Sequence, residues 1–363
     1  MTQTPNPRES DTPATPERPG MAPYYGDTGA PSDVASVEAT GSTMEGTATS
    51  TASQGMNIKA MTQGELVRRR FFRHRGALAG MVAFVLIAVL AFTSIGFGPI
   101  PGWWDKTYTG TGTLVNGGRP TLDLIPWLDG DGLSLGEYPF GQDDIGIDYF
   151  ALTMRGAQQS IIICLTVGIT ATLVGSIIGA FAGYFRGGVE SVLMRFTDVM
   201  ITIPVLVIAA VLGRRFGSHG IVVLGLVLGL VTWTNLARLV RGEFLSLREK
   251  EFVEAARAMG ASSRRIIFRH ILPNTLGVII VSATLAVASA ILLETSISYL
   301  GFGVRPPDTS LGQLISLYQS AFGVRPWLFW WPGLFIVGIA LSVNFIGDGL
   351  RDAFDPRQTR VRA

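Results

Sequence analysis

The sequence predicts an all-α integral membrane protein with six transmembrane helices, N-in and C-in, behind a disordered N-terminal tail. Three observations predict it. Only 15% of the 363 residues are charged, where soluble proteins carry roughly a quarter, and 48% are hydrophobic with a mean hydropathy of +0.37. Six mainly apolar stretches cover about 77–97, 160–184, 192–212, 220–240, 275–300 and 327–345, each near the ~20 residues that a helix needs to cross the hydrocarbon core. Arginines mark the inner side. Arg68, Arg69, Arg70, Arg73 and Arg75 precede the first stretch, and Arg351, Arg357, Arg360 and Arg362 follow the last, as an even number of crossings requires.

Composition also removes function classes. The 29 Lys and Arg nearly balance 27 Asp and Glu, so there is no general basic footprint for nucleic acid. One cysteine, Cys164, excludes a disulfide framework, and His74, His219 and His270 are too scattered to predict a metal site. The external carboxylates Asp129, Asp131, Asp143 and Asp144 lack calcium-loop spacing.

The elements follow in order. Residues 1–63 form a Thr/Pro/Ser-rich cytoplasmic tail whose first sixty positions carry three basic against seven acidic residues. Such a stretch cannot bury enough apolar surface to offset its ordering entropy, and it lacks the basic start and apolar run of a secretory signal. Residues 64–97 join a basic flank to the first helix. Residues 98–156 are the extracytoplasmic segment, with eight acidic and two basic residues between Gly98 and Phe150, and Trp103 and Trp104 at the outer interface. Residues 157–350 are a five-helix core that includes a cytoplasmic loop, 241–274, and 351–363 are a basic C-terminal tail. Trp327, Trp330 and Trp331 open the last span on the outer side, while Arg214 and Arg215 fall in a short external turn, against the usual charge bias. Gly175, Gly179 and Gly183 repeat at four-residue spacing, a narrow face on which another helix can approach closely.

The loop RGEFLSLREKEFVEAARAMGASSRRIIFRHILPNT is the segment that points to function. Phe252, Ala255, Ala256 and Met259 recur at helical spacing as one apolar stripe, opposite Lys250, Glu254 and Arg257, which are placed for helix-surface pairing. Gly260 is suited to end this helix in a left-handed conformation. Ser262 or Ser263 is suited to cap a second, which the sequence stops near Pro273 because the residue before proline disfavours the helical region. The stripe either meets a partner protein or lies on the membrane or on the chain's own spans.

Glu254, Ala255 and Ala256, then Gly260, then Leu272 and Pro273 after eleven more residues, resemble the cytoplasmic signature of inner-membrane permease subunits of bacterial ABC importers. One position departs, His270 standing where Ile is usual. GQDDIGIDYFALTMRGAQQS, with Gln142 and Ile147 in place of the usual Thr and Arg, AGYFRGGVESVLMRFTDVMITIP, LLETSISYLGFGVRPP and GDGLRDAFDPR are similar to blocks of the dipeptide/oligopeptide/nickel group, and within it of the C-type subunit. The likeness runs from about Gly64 to Arg357, and only the tail and a lengthened segment between Pro99 and Pro139 fall outside it.

The resemblance implies an ABC importer type I permease fold in the bacterial inner membrane, multi-pass, importing di- or oligopeptides. It implies a homologous partner permease in a heterodimer, two cytoplasmic ABC ATPase subunits, an extracytoplasmic substrate-binding protein and membrane lipid as partners. In that family the loop is a coupling helix seated in the ATPase, here Glu254, Ala255, Ala256, Met259, Gly260, Leu272 and Pro273. No phosphate-binding G-x-x-x-x-G-K-[ST] occurs, so no cofactor is expected on this chain, and ATP and Mg belong to the partner ATPases. The chain is expected to be non-catalytic. Glu294, and Asp198 with Arg195 as an i,i+3 pair, are the ionisable residues placed inside spans, candidates for gating or packing. The competing readings are a nickel or other small-solute permease of the same type and, from another class, a proton-coupled secondary carrier working through Glu294 and Asp198.

Overall fold

Proline, glycine and polar caps set several of the helix ends among the described residues. The computed structural model describes residues 63–122, 136–306 and 308–355; the predicted tail, apart from its last residue, the central part of the external segment and most of the C-terminal tail lie outside them. The basic flank is a short helix, α1 (Gln63–Phe71), followed by α2 (Arg75–Ser94). His74 caps α2: its Nδ1 accepts from the amide of Ala77 at 2.9 Å. A two-residue hairpin, β1 (Gly96–Phe97) with β2 (Ile100–Pro101), closes the end of α2.

The second predicted span starts earlier than hydropathy places it. α3 (Tyr149–Phe185) opens at Asp148, whose Oδ1 accepts from the amides of Phe150 and Ala151 at 2.8 and 3.2 Å, so 149–156, the end of the predicted external segment, are already helical. Its 37 residues rise about 55 Å, well beyond the ~30 Å hydrocarbon core.

The third and fourth predicted spans are each broken. α4 (Gly187–Thr202) and α5 (Val205–Phe216) meet at 84° across Ile203–Pro204. Pro204 has no amide to donate and forces Ile203 into an extended conformation, φ −86° and ψ 125°, so the helix cannot run on through 192–212. α6 (Ile221–Thr232) and α7 (Thr234–Arg248) bend by 50° at Trp233. Then come α8 (Glu251–Ala258), α9 (Ser263–Arg265), a π-helical turn (Ile266–Ile271), α10 (Leu272–Tyr299), α11 (Leu311–Tyr318) and α12 (Trp327–Phe354). Among the described residues four helical stretches are long and apolar enough to cross a membrane, and six result when each bent pair counts as one.

Contacts between helix ends fix the alternating directions of these six. At one end, which the arginines make basic, Arg70 Nη1 donates to the Asp355 carbonyl at 3.1 Å, His74 Nε2 lies 3.3 Å from Asp352, Arg248 donates to the carbonyl of Tyr184, and Gly277 at the start of α10 lies against Phe354. At the other, aromatic end, Trp104 Nε1 donates to Asp148 Oδ2 at 2.8 Å, Phe140 stacks on Trp331 with centroids 3.9 Å apart, and the Tyr149 hydroxyl donates to the carbonyl of Leu328. Arg214 and Arg215 at the end of α5 also lie here: the preceding Gly213 abuts the carbonyl of Phe302, just past α10.

α3 is the central post. Added Cβ atoms at Gly175, Gly179 and Gly183 would lie 2.8, 2.5 and 2.5 Å from Trp233 O, Ala237 O and Phe244 Cβ, so the small-residue face is where α7 packs. On its other sides Thr166 and Thr170 meet Gly225 and Gly229 of α6, and Gly168 meets Val287 of α10.

Candidate functional site

The loop 241–274 is built at the basic end as an anchored short helix with one free face. α8 ends on a glycine motif: Gly260 has φ +79°, its amide donates to the carbonyl of Arg257 at 2.9 Å, and the amide of Ala261 donates to that of Ala256 at 3.0 Å. An L-residue at that φ is strained, which is why the turn takes glycine. Val253 (0% exposed) and Ala256 (2%) are buried in a cluster with Phe244, Ile266, Ile267 and Ile271, while Phe252 (41%) and Met259 (81%) stand in the open beside exposed Ala255 and Glu254.

This corrects the stripe read from spacing. The chain has two apolar edges on α8, and Ala256 belongs to the anchoring one together with Val253, which spacing alone did not select. The free face is Phe252, Ala255 and Met259. Neither Lys250–Glu254 nor Glu254–Arg257 forms an ion pair among the described residues. Instead Glu249 pairs with Arg186 at 2.7 Å, tying the loop to the turn between α3 and α4.

Pro273 does not stop the second helix. Ser262 sits at the N-cap position of α9, and the chain then continues through the π turn into α10, with Pro273 in the first turn of the latter. The wider turn lets the amide of Leu272 reach Ile267, five residues back, and the Asn274 side chain donates to the His270 carbonyl at 2.6 Å, so the backbone around the proline keeps partners without breaking. Leu272 is half-buried against the same cluster that holds α8. The loop is therefore one packed unit, continuous with α7 on one side and α10 on the other.

The polar groups inside the spans separate into two kinds. Glu294 is 0% exposed, accepting from Ser298 Oγ at 2.7 Å and from Ser160 Oγ at 3.2 Å, with Ser310 Oγ 3.3 Å from Ser298; Ser160 Oγ in turn accepts from the amide of Leu311. The three serines come from α3, α10 and the cap of α11, so the carboxyl ties three elements together. Asp198 does not pair with Arg195. It accepts from Arg238 of α7 at 2.5 Å, Glu190 accepts from Arg241, and Arg195 has no ion-pair partner among the described residues. Partners forty and fifty-one residues away carry no local signal in the sequence.

Other polar residues at the aromatic end hold the external segment. Gln142, one of the departing positions, is fully buried: Oε1 accepts from the amide of Val115 at 2.8 Å, and Nε2 donates to the carbonyls of Thr113 and Gly146, both at 3.1 Å. It thus ties the lengthened segment to the start of α3, a role that only its atypical identity could have flagged. Asp143 accepts from the amides of Ile145 and Ile147 and from the hydroxyl of Tyr318, whose phenol is pushed up by burial and by that carboxylate. Burial also raises the Asp148 carboxyl, against the hydrogen bond from Trp104. Asp129 and Asp131 lie outside the described residues, and among those described no group of three His, Cys, Asp or Glu is placed to hold a metal.

Comparison with known proteins agrees with this architecture. The family model of the binding-protein-dependent transport system inner membrane component matches residues 175–360, and that of the N-terminal TM domain of oligopeptide transport permease C matches 62–102. The oligopeptide transport system permease protein OppC of Mycobacterium bovis is 39% identical over 82% of this chain and 96% of its own length. That of Haemophilus influenzae is 34% identical over 83% and 91%, and a putative peptide permease protein of Brucella ovis is 36% identical over 84% and 94%. From the family model over residues 175–360 and this likeness over nearly the whole length of its relatives, the chain belongs to the family of binding-protein-dependent transport system inner membrane components.

Proposed function

We propose that this chain is the C-type permease subunit of an ATP-driven oligopeptide importer, and that α8 is where force from the ATPases enters it. The observation that carries the proposal is the division of α8 into a buried edge, Val253 and Ala256, and an open apolar edge, Phe252, Ala255 and Met259. A helix that buried both edges would have nothing to offer a partner. One that buried neither would move without moving the spans.

The working unit has a homologous partner permease, two cytoplasmic ATPase subunits and an extracytoplasmic binding protein. The chain itself binds no nucleotide and performs no hydrolysis; ATP and Mg act in the ATPases. Displacement of α8 carries the isoleucines of the π turn with it, and through them α7 and α10 shift as packed bodies against α3. Glu254 at the exposed surface and Gly260 in its tight turn complete the docking unit, and Leu272 and Pro273 begin the span that it moves. The peptide class comes from the relatives, whose names state oligopeptide transport.

The test is a cysteine crosslink. Met259→Cys in the full transporter should crosslink to an ATPase subunit and lose the crosslink with its Ala256→Trp derivative, and the wild-type complex in proteoliposomes should import oligopeptides only with ATP. Absence of any crosslink from position 259, or uptake by this chain alone, overturns the reading and favours a secondary carrier.

A further inference from the structure

The elbow between α1 and α2 has one face taken and one face free. Val67, Arg70, Phe71 and His74, at i, i+3, i+4 and i+7, are half-buried on the side of α12, where Arg70 donates to the Asp355 carbonyl and His74 lies 3.3 Å from Asp352. The free side carries Arg68, Arg69, Arg73 and Arg75, all exposed, and among them two apolar side chains, Leu66 and Phe72 (54% exposed). The amide of Phe72 donates to the carbonyl of Arg68 at 3.1 Å, so these two residues leave the last turn on one side. Residues 63–75 hold five arginines against one acidic residue, Glu65. Arg70 is engaged by α12, whereas no ion pair among the described residues uses Arg68, Arg69, Arg73 or Arg75.

What lies next to this face follows from the length of α2. Its 20 residues rise about 30 Å, the thickness of the hydrocarbon core, so neither end of this span stands far from a headgroup layer. Arg75 is its first residue, and Arg73 and Phe72 come just before it. The elbow is therefore at the bilayer boundary whatever direction α1 takes from it. Arg68 and Arg69 stand at most about 10 Å further off, close to the distance over which a charged surface is felt at physiological salt. Guanidinium groups match phosphate oxygens, and an exposed phenyl ring at the boundary matches acyl chains. A soluble anion would satisfy the arginines and leave Phe72 in water; a lipid satisfies both.

We infer that the α1–α2 elbow is a binding site for anionic phospholipid, in which Arg68, Arg69, Arg73 and Arg75 hold headgroup phosphates while Phe72 and Leu66 enter the top of the acyl layer. Because the opposite face of the elbow grips α12 through Arg70 and His74, bound lipid ties the last span as well as the first to the membrane surface. The open edge of α8 is built on other elements, α7 and the π turn, so the two surfaces can be tested apart.

The test uses the full-length chain with a fluorophore on Phe72→Cys, since Cys164, the one native cysteine, is buried. In mixed micelles, brominated phosphatidylglycerol should quench the label at a mole fraction at least about tenfold lower than brominated phosphatidylcholine. Adding Arg69→Gln and Arg73→Gln should remove most of that preference, about fivefold for each arginine, while thermal unfolding without phosphatidylglycerol stays that of the singly labelled chain because both side chains are exposed. Replacing chloride by inorganic phosphate at equal ionic strength should leave the preference in place. Equal quenching by the two lipids, or a preference that survives loss of both arginines, overturns the assignment. Loss of the preference in inorganic phosphate makes the elbow a site for free anions instead. Quenching that disappears when the ATPase subunits are bound makes it a protein-docking face, and likewise overturns the lipid site.

Discussion

Glu294 and Asp198 are both carboxylates within predicted spans, and the molecule treats them in opposite ways. Glu294 is enclosed, with two serine hydroxyls on its oxygens and a third serine behind them. Asp198 is half exposed and held by one arginine. Enclosure converts an ionisable group into a structural knot, because removing it strands its partners away from water. Exposure leaves the group replaceable in the fold. An intramembrane carboxylate is thus not a functional site by its depth alone; what decides is whether its hydrogen-bonding capacity is already spent.

The largest expected effect breaks this comparison if it fails. Glu294→Ala should destabilise the protein by about 3 kcal/mol or more, since buried Ser160 and Ser298 lose their acceptor, whereas Asp198→Ala should cost at most about 1 kcal/mol, as exposed pairs do. Thermal unfolding of the two variants in the same detergent measures the gap, and equal losses would dissolve the distinction.

A second contrast of this kind lies within α8. Ala256→Trp forces a large ring into the cluster of Ile266, Ile267 and Ile271 and should cost about 1–3 kcal/mol through overpacking. Met259→Asp, on the open edge, should leave unfolding within about 0.5 kcal/mol of wild type while abolishing ATPase co-purification. If Met259→Asp also destabilises, the open edge is a packing surface after all.

The smallest effect concerns Asp148. Burial raises its carboxyl above the ordinary range in the folded protein, so its contribution is most favourable below the unfolded value and is lost as pH climbs through the folded one. Asn caps a helix equally well. Asp148→Asn should therefore gain on wild type as pH rises from about 4 to 7, by a few degrees in melting temperature at most. A gain that shrinks over that window would mean that the bonds from Trp104, Phe150 and Ala151 outweigh burial.

Much of the fold and part of the site were legible because they rest on local chemistry. Gly260 must be glycine for its turn, the arginines before α2 and within α12 announce one side of the membrane, and the spacing of Gly175, Gly179 and Gly183 marks a face for α7. What could not be read depends on neighbours distant in the chain. Spacing offered Phe252, Ala255, Ala256 and Met259 as one stripe, but only the isoleucines of the π turn determine that Ala256 turns inward with Val253. Asp198 had Arg195 within reach on its own helix, and took Arg238 because α4 lies against α7.

By itself the sequence determined that this chain crosses a membrane repeatedly with a charged hinge at one end, since the cost of placing polar backbone and charge in hydrocarbon is paid residue by residue. Tertiary structure alone decided where helices break and which polar groups are closed off: Pro204 forbids a straight third crossing but does not set its 84° bend, and a carboxylate cannot know in advance whether serines or open space will face it. Those outcomes come from packing, in which each contact depends on all the others being made.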